Sequence, residues 1–211
     1  MSGAVARVAT ALLPLLLLGG ASAASPAATS APVADYAAIL HVLQRVTYGP
    51  RPGDLARVKA MGVSAWLERQ LDPARLDDTA VEQAVATLPT LAMSIADLQR
   101  AYPRPDADMR RKLAGGEMSP RELREQYPPE KRPARIVAEL QTARMLRAVA
   151  SERQLQEVMI DFWFNHFNVF ANKGEVRWYV TAYERDVIRP HALGRFPELL
   201  RATARHPAML F

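Results

Sequence analysis

The sequence predicts an all-α protein, an irregular multi-helix bundle with a central aromatic-rich helix. Three observations carry this reading. Apolar residues recur at spacings of three and four along most of the chain, alternating Val, Ile and Thr patterns are nearly absent, and Pro and Gly divide the periodic stretches into pieces of helical length. A content of 49% hydrophobic and 23% charged residues is that of a globular chain.

Residues 1–23 have the pattern of a signal peptide. Arg7 supplies a positive start, "ATALLPLLLLGG" (9–20) an apolar run, and Ala21-Ser22-Ala23 a small-x-small cleavage site. The run is short and interrupted by Pro14, and no span-length apolar stretch follows, so the mature chain is expected to carry no transmembrane span. The expected address is exported, either periplasmic or secreted. The chain contains no cysteine, which excludes disulfides, thiolate metal sites and cysteine nucleophiles. Residues 24–34, "ASPAATSAPVA", read as a flexible Ala/Ser/Pro tether.

The helical domain is expected over 35–211. "DYAAILHVLQRVTY" (35–48) places Ile39, Leu43 and Val46 on one stripe, and "GPRPG" (49–53) ends it. A short helix from Asp54 to Gly62 and a second from Ser64 form a compact pair without a basic recognition face. Thr79 and Glu82 match a capping box for a helix near 80–88. Residues 103–135, with six prolines and dense charge, read as a long Pro-rich loop or arm with a helical turn or two after Ser119-Pro120. "ARIVAELQTARMLRAVA" (134–150) is a strong helix former with Ile136, Val137 and Leu140 inward. Ser151 and Gln154 match a second capping box, opening the aromatic helix. Gly174 precedes a helix over 175–188 that Arg189-Pro190 should stop, and Pro197 opens another over 196–206.

The aromatic helix holds "DFWFNHFNVF" (161–170), five of the fifteen Phe, Trp and Tyr of the chain. On a helical projection Leu155, Met159, Phe162, His166 and Phe170 form one stripe, with Ile160, Phe164 and Phe167 beside it. Glu157, Asp161, Asn165, Asn168 and Asn172 form a narrow polar stripe. Such an element is expected at the centre of the bundle, with an ion pair between Asp161 and an arginine of the following helix braced by the asparagines. His166 lies about 140° around the helix from Asp161, so this carboxylate does not orient it. A neutral core histidine is the plain reading of His166; a general acid or base, or a metal ligand, is the functional one. His166 and Asp161 are thus the catalytic candidates, His166 the metal candidate, and Asp161, Asn165 and Asn168 the polar stripe. The other histidines, His41, His191 and His206, match no metal-ligand spacing.

Other chemistry is faint. There is no G-x-S-x-G elbow, phosphate-binding loop or dinucleotide fingerprint. Glu184 and Asp186 of "YERD" (183–186) point to different helix faces and read as surface charge. Without Arg7, 26 basic residues face 22 acidic ones, mostly interspersed, and no nucleic-acid partner is expected.

Three blocks carry a resemblance. "LQRVTYGPRPGDLARVKAMGVSAWLERQL" (43–71), "LQEVMIDFWFNHFNVF" (155–170) and "YERDVIRPHALGRFPELLRATARHPAML" (183–210) resemble, in order, segments of the exported bacterial family called domain of unknown function 1800. The resemblance implies a mainly helical, secreted or periplasmic protein, often encoded beside a sulfatase-like exported protein, and supplies no catalytic residues. Many members read Trp-His-Asn-His-Phe where this chain has Trp163-Phe164-Asn165-His166-Phe167, so Asn165 and His166 match and Phe164 replaces a histidine. Members are usually longer, so the chain is expected to be truncated at its C-terminus.

Together these features lead to the expectation of a binding or assembly module in the cell envelope, with another exported protein as its partner. The alternative is a metal-assisted hydrolase or oxidoreductase using His166 with residues absent from this chain. The sequence names no cofactor.

Overall fold

A computed structural model describes residues 36–126 and 128–211, which belong to a single structural unit; the segments read as signal peptide and tether lie outside them. The described residues are helical with no strand. Their helices are α1 (Tyr36–Val46), α2 (Asp54–Met61), α3 (Val63–Leu71), α4 (Thr79–Ala86), α5 (Ile95–Ala101), α6 (Ala107–Ala114), α7 (Pro120–Gln126), α8 (Ala134–Ala150), α9 (Gln154–His166) and α10 (Val176–Ala182). A π turn (Tyr183–Ile188) continues α10 into α11 (Arg189–His191), and α12 (Phe196–Arg205) and α13 (Pro207–Leu210) follow.

The centre of the core is α10, not α9. Val176, Trp178, Tyr179, Val180, Thr181 and Ala182 are all buried, and α10 packs against α5, α8 and α13. Tyr183 and Ile188 of the π turn and Leu199 of α12 complete the same cluster. Trp178 donates from Nε1 to the Tyr102 carbonyl at 2.8 Å, so its one polar atom is satisfied inside the core.

The expected stop at Arg189-Pro190 does not occur. Pro190 has no N–H to donate, but it lies in the first turn of α11, after the π turn has changed the register. The helical path therefore continues to His191.

Within 103–135, α7 stands where a helical turn or two was expected after Ser119-Pro120, whereas α6 and the 3-10 turn (Pro129–Lys131) occupy stretches expected as loop. Neither α6 nor α7 buries a residue, so local chemistry holds them. Asp106 caps α6 by accepting from the Met109 N–H at 2.8 Å. Ser119 and Glu122 exchange bonds at the start of α7: Ser119 N donates to Glu122 Oε2 at 2.6 Å, and Glu122 N donates to Ser119 Oγ at 3.2 Å.

The two capping boxes read from the sequence do not form. Thr79 is already inside α4, preceded by Asp78. Asp78 is buried and accepts from Ser151 Oγ and from Glu152 N, both at 2.6 Å. Gln154 turns its amide to the Ser151 carbonyl at 2.9 Å, not to its N–H. Side chains from far along the chain cap α9 instead, and Gln70 of α3 both accepts from Leu155 N at 3.1 Å and donates to the Glu152 carbonyl at 2.9 Å. Arg51 and Arg57 close this corner on Glu152 at 3.0 and 2.7 Å and on buried Asp54 at 3.3 and 2.7 Å. The α2–α3 pair thereby fixes where α9 starts. Gly62 between them has φ +88°, a conformation that a Cβ would strain.

Candidate functional site

The helix α9 turns its second apolar sector, Ile160, Phe164 and Phe167, to the core and leaves most of the first stripe outside. Its buried residues are Gln154, Glu157 and Ile160, whereas Phe162, His166 and Phe170 of the apolar stripe are exposed. The physical cause is a chain of charges beneath the helix. Arg189 binds Glu157 with both terminal nitrogens, Nη1–Oε1 at 2.6 Å and Nη2–Oε2 at 3.1 Å, and Nη2 also reaches Glu184 Oε1 at 3.1 Å. Arg144 of α8 pairs with Asp161, and its Nε lies 3.7 Å from Glu184 Oε2. Its guanidinium also lies 4.4 Å from the centre of the Phe164 ring. Two guanidinium groups thus serve three carboxylates and tie α8, α9 and the π turn together. Burial works against the charge on Arg189, but Glu157 and Glu184 outweigh it and raise its pKa further.

Glu184, read as surface charge, is only 2% exposed. The π turn explains the difference: Glu184 and Arg189 are five residues apart, the spacing that an i→i+5 helix brings onto one face. Asp186 does lie at the surface, paired with Arg185 at 2.7 Å. The readable signal for the buried network was Glu157 and Asp161, four apart on an otherwise apolar helix, which require cations from elsewhere. Which cations those are depends on the fold.

The sequence candidates divide between the two faces. Asp161 meets Arg144 of the preceding helix, where Arg177 or Arg185 of the following one was expected. Arg177 instead donates to Asn172 at 2.8 Å, and Arg185 is held by the Leu91 and Met93 carbonyls at 2.8 and 3.1 Å. Asn165 braces the helix backbone, donating from Nδ2 to the Asp161 carbonyl at 2.8 Å, and Asn168 is exposed beyond the helix end. His166 is not a core histidine. It lies at the exposed C-terminal end of α9 among rings, 4.8 Å from Phe167, 5.8 Å from Trp163 and 6.0 Å from Phe162 between centroids. The structure does not bring it together with Asp161 in one site. Among the described residues no group of three or more His, Cys, Asp or Glu side chains is placed to hold a metal ion.

The rings form a continuous cluster. Phe162 meets Trp163 edge-on at 4.8 Å, Trp163 and Phe167 stack at 6.0 Å, and Phe196 of α12 approaches Trp163 at 5.8 Å. Trp163 fixes the cluster to the fold by donating from Nε1 to the Ala192 carbonyl at 3.0 Å. Phe162, Phe170 and Phe196 remain 52%, 67% and 49% exposed, an unusual outlay of large apolar surface for a helix end. Below the cluster, the Tyr48 hydroxyl donates to the Glu157 carbonyl at 3.2 Å. Burial, then the negative charge of Asp161, pushes the Tyr48 pKa up to about 12, so this donor stays protonated.

No helix of the described residues is long and apolar enough to cross a membrane. Neither the curated proteins nor the solved structures contain a match to the chain. The family model described as protein of unknown function DUF1800 matches residues 41–211, from α1 through the aromatic helix and its charge network to the last residue, and the chain belongs to that family.

Proposed function

We propose that this chain is an exported binding module whose docking surface is the aromatic end of α9 together with the outer face of α12, and whose partner is another exported protein. The observation that carries this reading is the half-exposed ring cluster of Phe162, Trp163 and Phe196. Rings already packed on one another lose little conformational freedom on binding, which is why aromatic clusters serve as interface anchors. Phe196 and Leu200, both exposed, lie about 40° apart on α12 and extend the apolar surface by a turn.

The charge around this surface indicates the chemistry of the partner. Arg195, Arg201 and Arg205 are exposed on or beside α12, and none forms an ion pair among the described residues. A protein surface with an apolar centre and acidic rim complements this arrangement.

The test is site-specific photo-cross-linking in cells, with a photoreactive phenylalanine at position 162, repeated in a Phe196→Ser background. A discrete adduct with an acidic exported protein is expected. It should be weakened by Phe196→Ser and, with purified components, by raised salt. No adduct, an adduct with peptidoglycan, or one insensitive to both changes would overturn the proposal.

A further inference from the structure

The exposed side of α12 is organised in lines. On a helical projection Phe196, Leu200 and Ala204 advance by about 40° at each step of four residues, so they form one stripe about 12 Å long. All three are exposed, while Leu199 and Thr203 on the other side of the helix are buried. The stripe begins at the ring cluster, where Phe196 lies 5.8 Å from Trp163 and 6.4 Å from Phe167. Arg201 and Arg205 form a second exposed line beside it, Arg201 standing about 100° around from Leu200. Glu198, the only acid of α12, lies about 160° from Leu200 and so away from the stripe.

The backbone at both ends of α12 is already engaged. The N–H groups of Glu198 and Leu199 both donate to the Arg195 carbonyl, at 3.0 and 3.2 Å, and Pro197 has none. At the other end His206 N donates to the Thr203 carbonyl at 3.2 Å. Among the described residues there is no strand, hence no sheet edge to which an extended segment could add. Such a segment laid along α12 would press its own amides onto apolar side chains, each amide a polar group taken from water without a partner. A helix satisfies its backbone internally and can lay side chains from successive turns against the stripe.

We infer that, on the docking surface proposed above, the partner engages this chain through an acidic amphipathic helix laid along α12. Its apolar side chains, at helical spacing on one face, meet Phe196, Leu200 and Ala204 in turn. The small side chain of Ala204 lets the two backbones approach closely at the end away from the rings. Carboxylates on the flank of the partner helix pair with Arg201 and Arg205. A basic helix would set cations against these arginines, and a wholly apolar one would gain nothing from them.

Cross-linking in cells tests this by counting residues. A photoreactive phenylalanine is placed in turn at positions 196, 200 and 204, and mass spectrometry identifies the partner residue captured from each. The replaced side chains lie outside the core, and thermal unfolding checks that each variant folds as the parent does. The three positions span about 12 Å, which is about eight residues of a helix and about four of an extended strand. The captured residues should therefore advance by about three or four for each step along α12, with aspartates or glutamates on their flank. Arg201→Glu should lower the yield of the position-200 adduct by about tenfold or more, and Arg201→Lys should retain most of it. Captured residues that advance by about two per step, or that come from separate segments, would overturn the helical partner while leaving the docking surface in place. A yield indifferent to Arg201→Glu would overturn the acidic flank. No adduct at any of the three positions would overturn the docking surface itself, and this inference with it.

Discussion

Arg189 and Glu157 meet in a two-pronged ion pair, Nη1–Oε1 at 2.6 Å and Nη2–Oε2 at 3.1 Å, which joins the last turn of the α10 path to the inner face of α9. Bidentate geometry makes this pair stronger than a single contact, and Glu157 is buried, so neither charge can return to water without moving a helix.

Removing one partner of this pair strands the other. Arg189→Met leaves Glu157 and Glu184 buried without their cation and should cost about 3–5 kcal/mol. Glu157→Gln, which retains one acceptor, should cost less. Urea unfolding of the two variants and of the double variant gives the coupling directly. A coupling near zero would mean that the pair does not fix the face of α9.

Glu139 supplies an acid-sensitive lock between α8 and the turn after α4. Burial alone would raise its pKa. The Arg135 guanidinium at 2.6 Å and the Thr90 N–H and hydroxyl at 2.9 and 2.8 Å outweigh burial and lower it. With a depressed folded pKa, the stabilisation is complete above the unfolded value near 4.5 and is lost as pH falls through the lower folded one. Glu139→Gln should therefore flatten the fall in urea midpoint between neutral pH and acid. A variant whose midpoint falls as steeply as the parent's would refute this assignment.

His206 should weaken the end of the chain at mildly acidic pH. Burial lowers its pKa below 6.5, while the charge of Asp186 opposes the shift. Its neutral Nδ1 accepts from Ala208 N at 3.2 Å and caps α13. The contribution is present above the unfolded value of 6.5 and fades as pH falls through the folded one, because a protonated ring cannot accept. Amide exchange at Ala208 should accelerate on acidification relative to α10 amides, and His206→Asn should remove most of the difference. Equal protection across this range would exclude a cap at His206.

The two most prominent residues of the aromatic motif should behave oppositely. His166→Ala removes only exposed ring contacts and should change stability by about 0.5 kcal/mol or less. Trp163→Phe leaves the Ala192 carbonyl without its donor and should cost about 1–3 kcal/mol. Thermal unfolding compares them, and a larger loss at His166 would return that residue to the core.

Much of this architecture is legible in the linear chain because it depends on neighbours in sequence. Apolar residues three and four apart, Pro50, Pro120, Pro197 and Gly62 are enough to place α1 to α3, α7, α8 and α12. The Ser119–Glu122 capping box, which the sequence reading passed over, is equally local, joining residues three apart. The all-α class and the family were accessible for the same reason. The cap of α9 was not, since Gln70 and Asp78, its providers, lie far back in the chain. The orientation of α9 was hidden as well. Hydropathy assigns each residue its own cost of burial, and by that rule Phe162 and His166 go inside and Glu157 outside. Arg189 and Arg144, delivered by other helices, reverse the order, because a carboxylate gripped by a guanidinium no longer bears the cost of burial alone. Periodicity along the chain made the helices and chose the buried face of α1 and α8, whereas the meeting of distant charges chose that of α9.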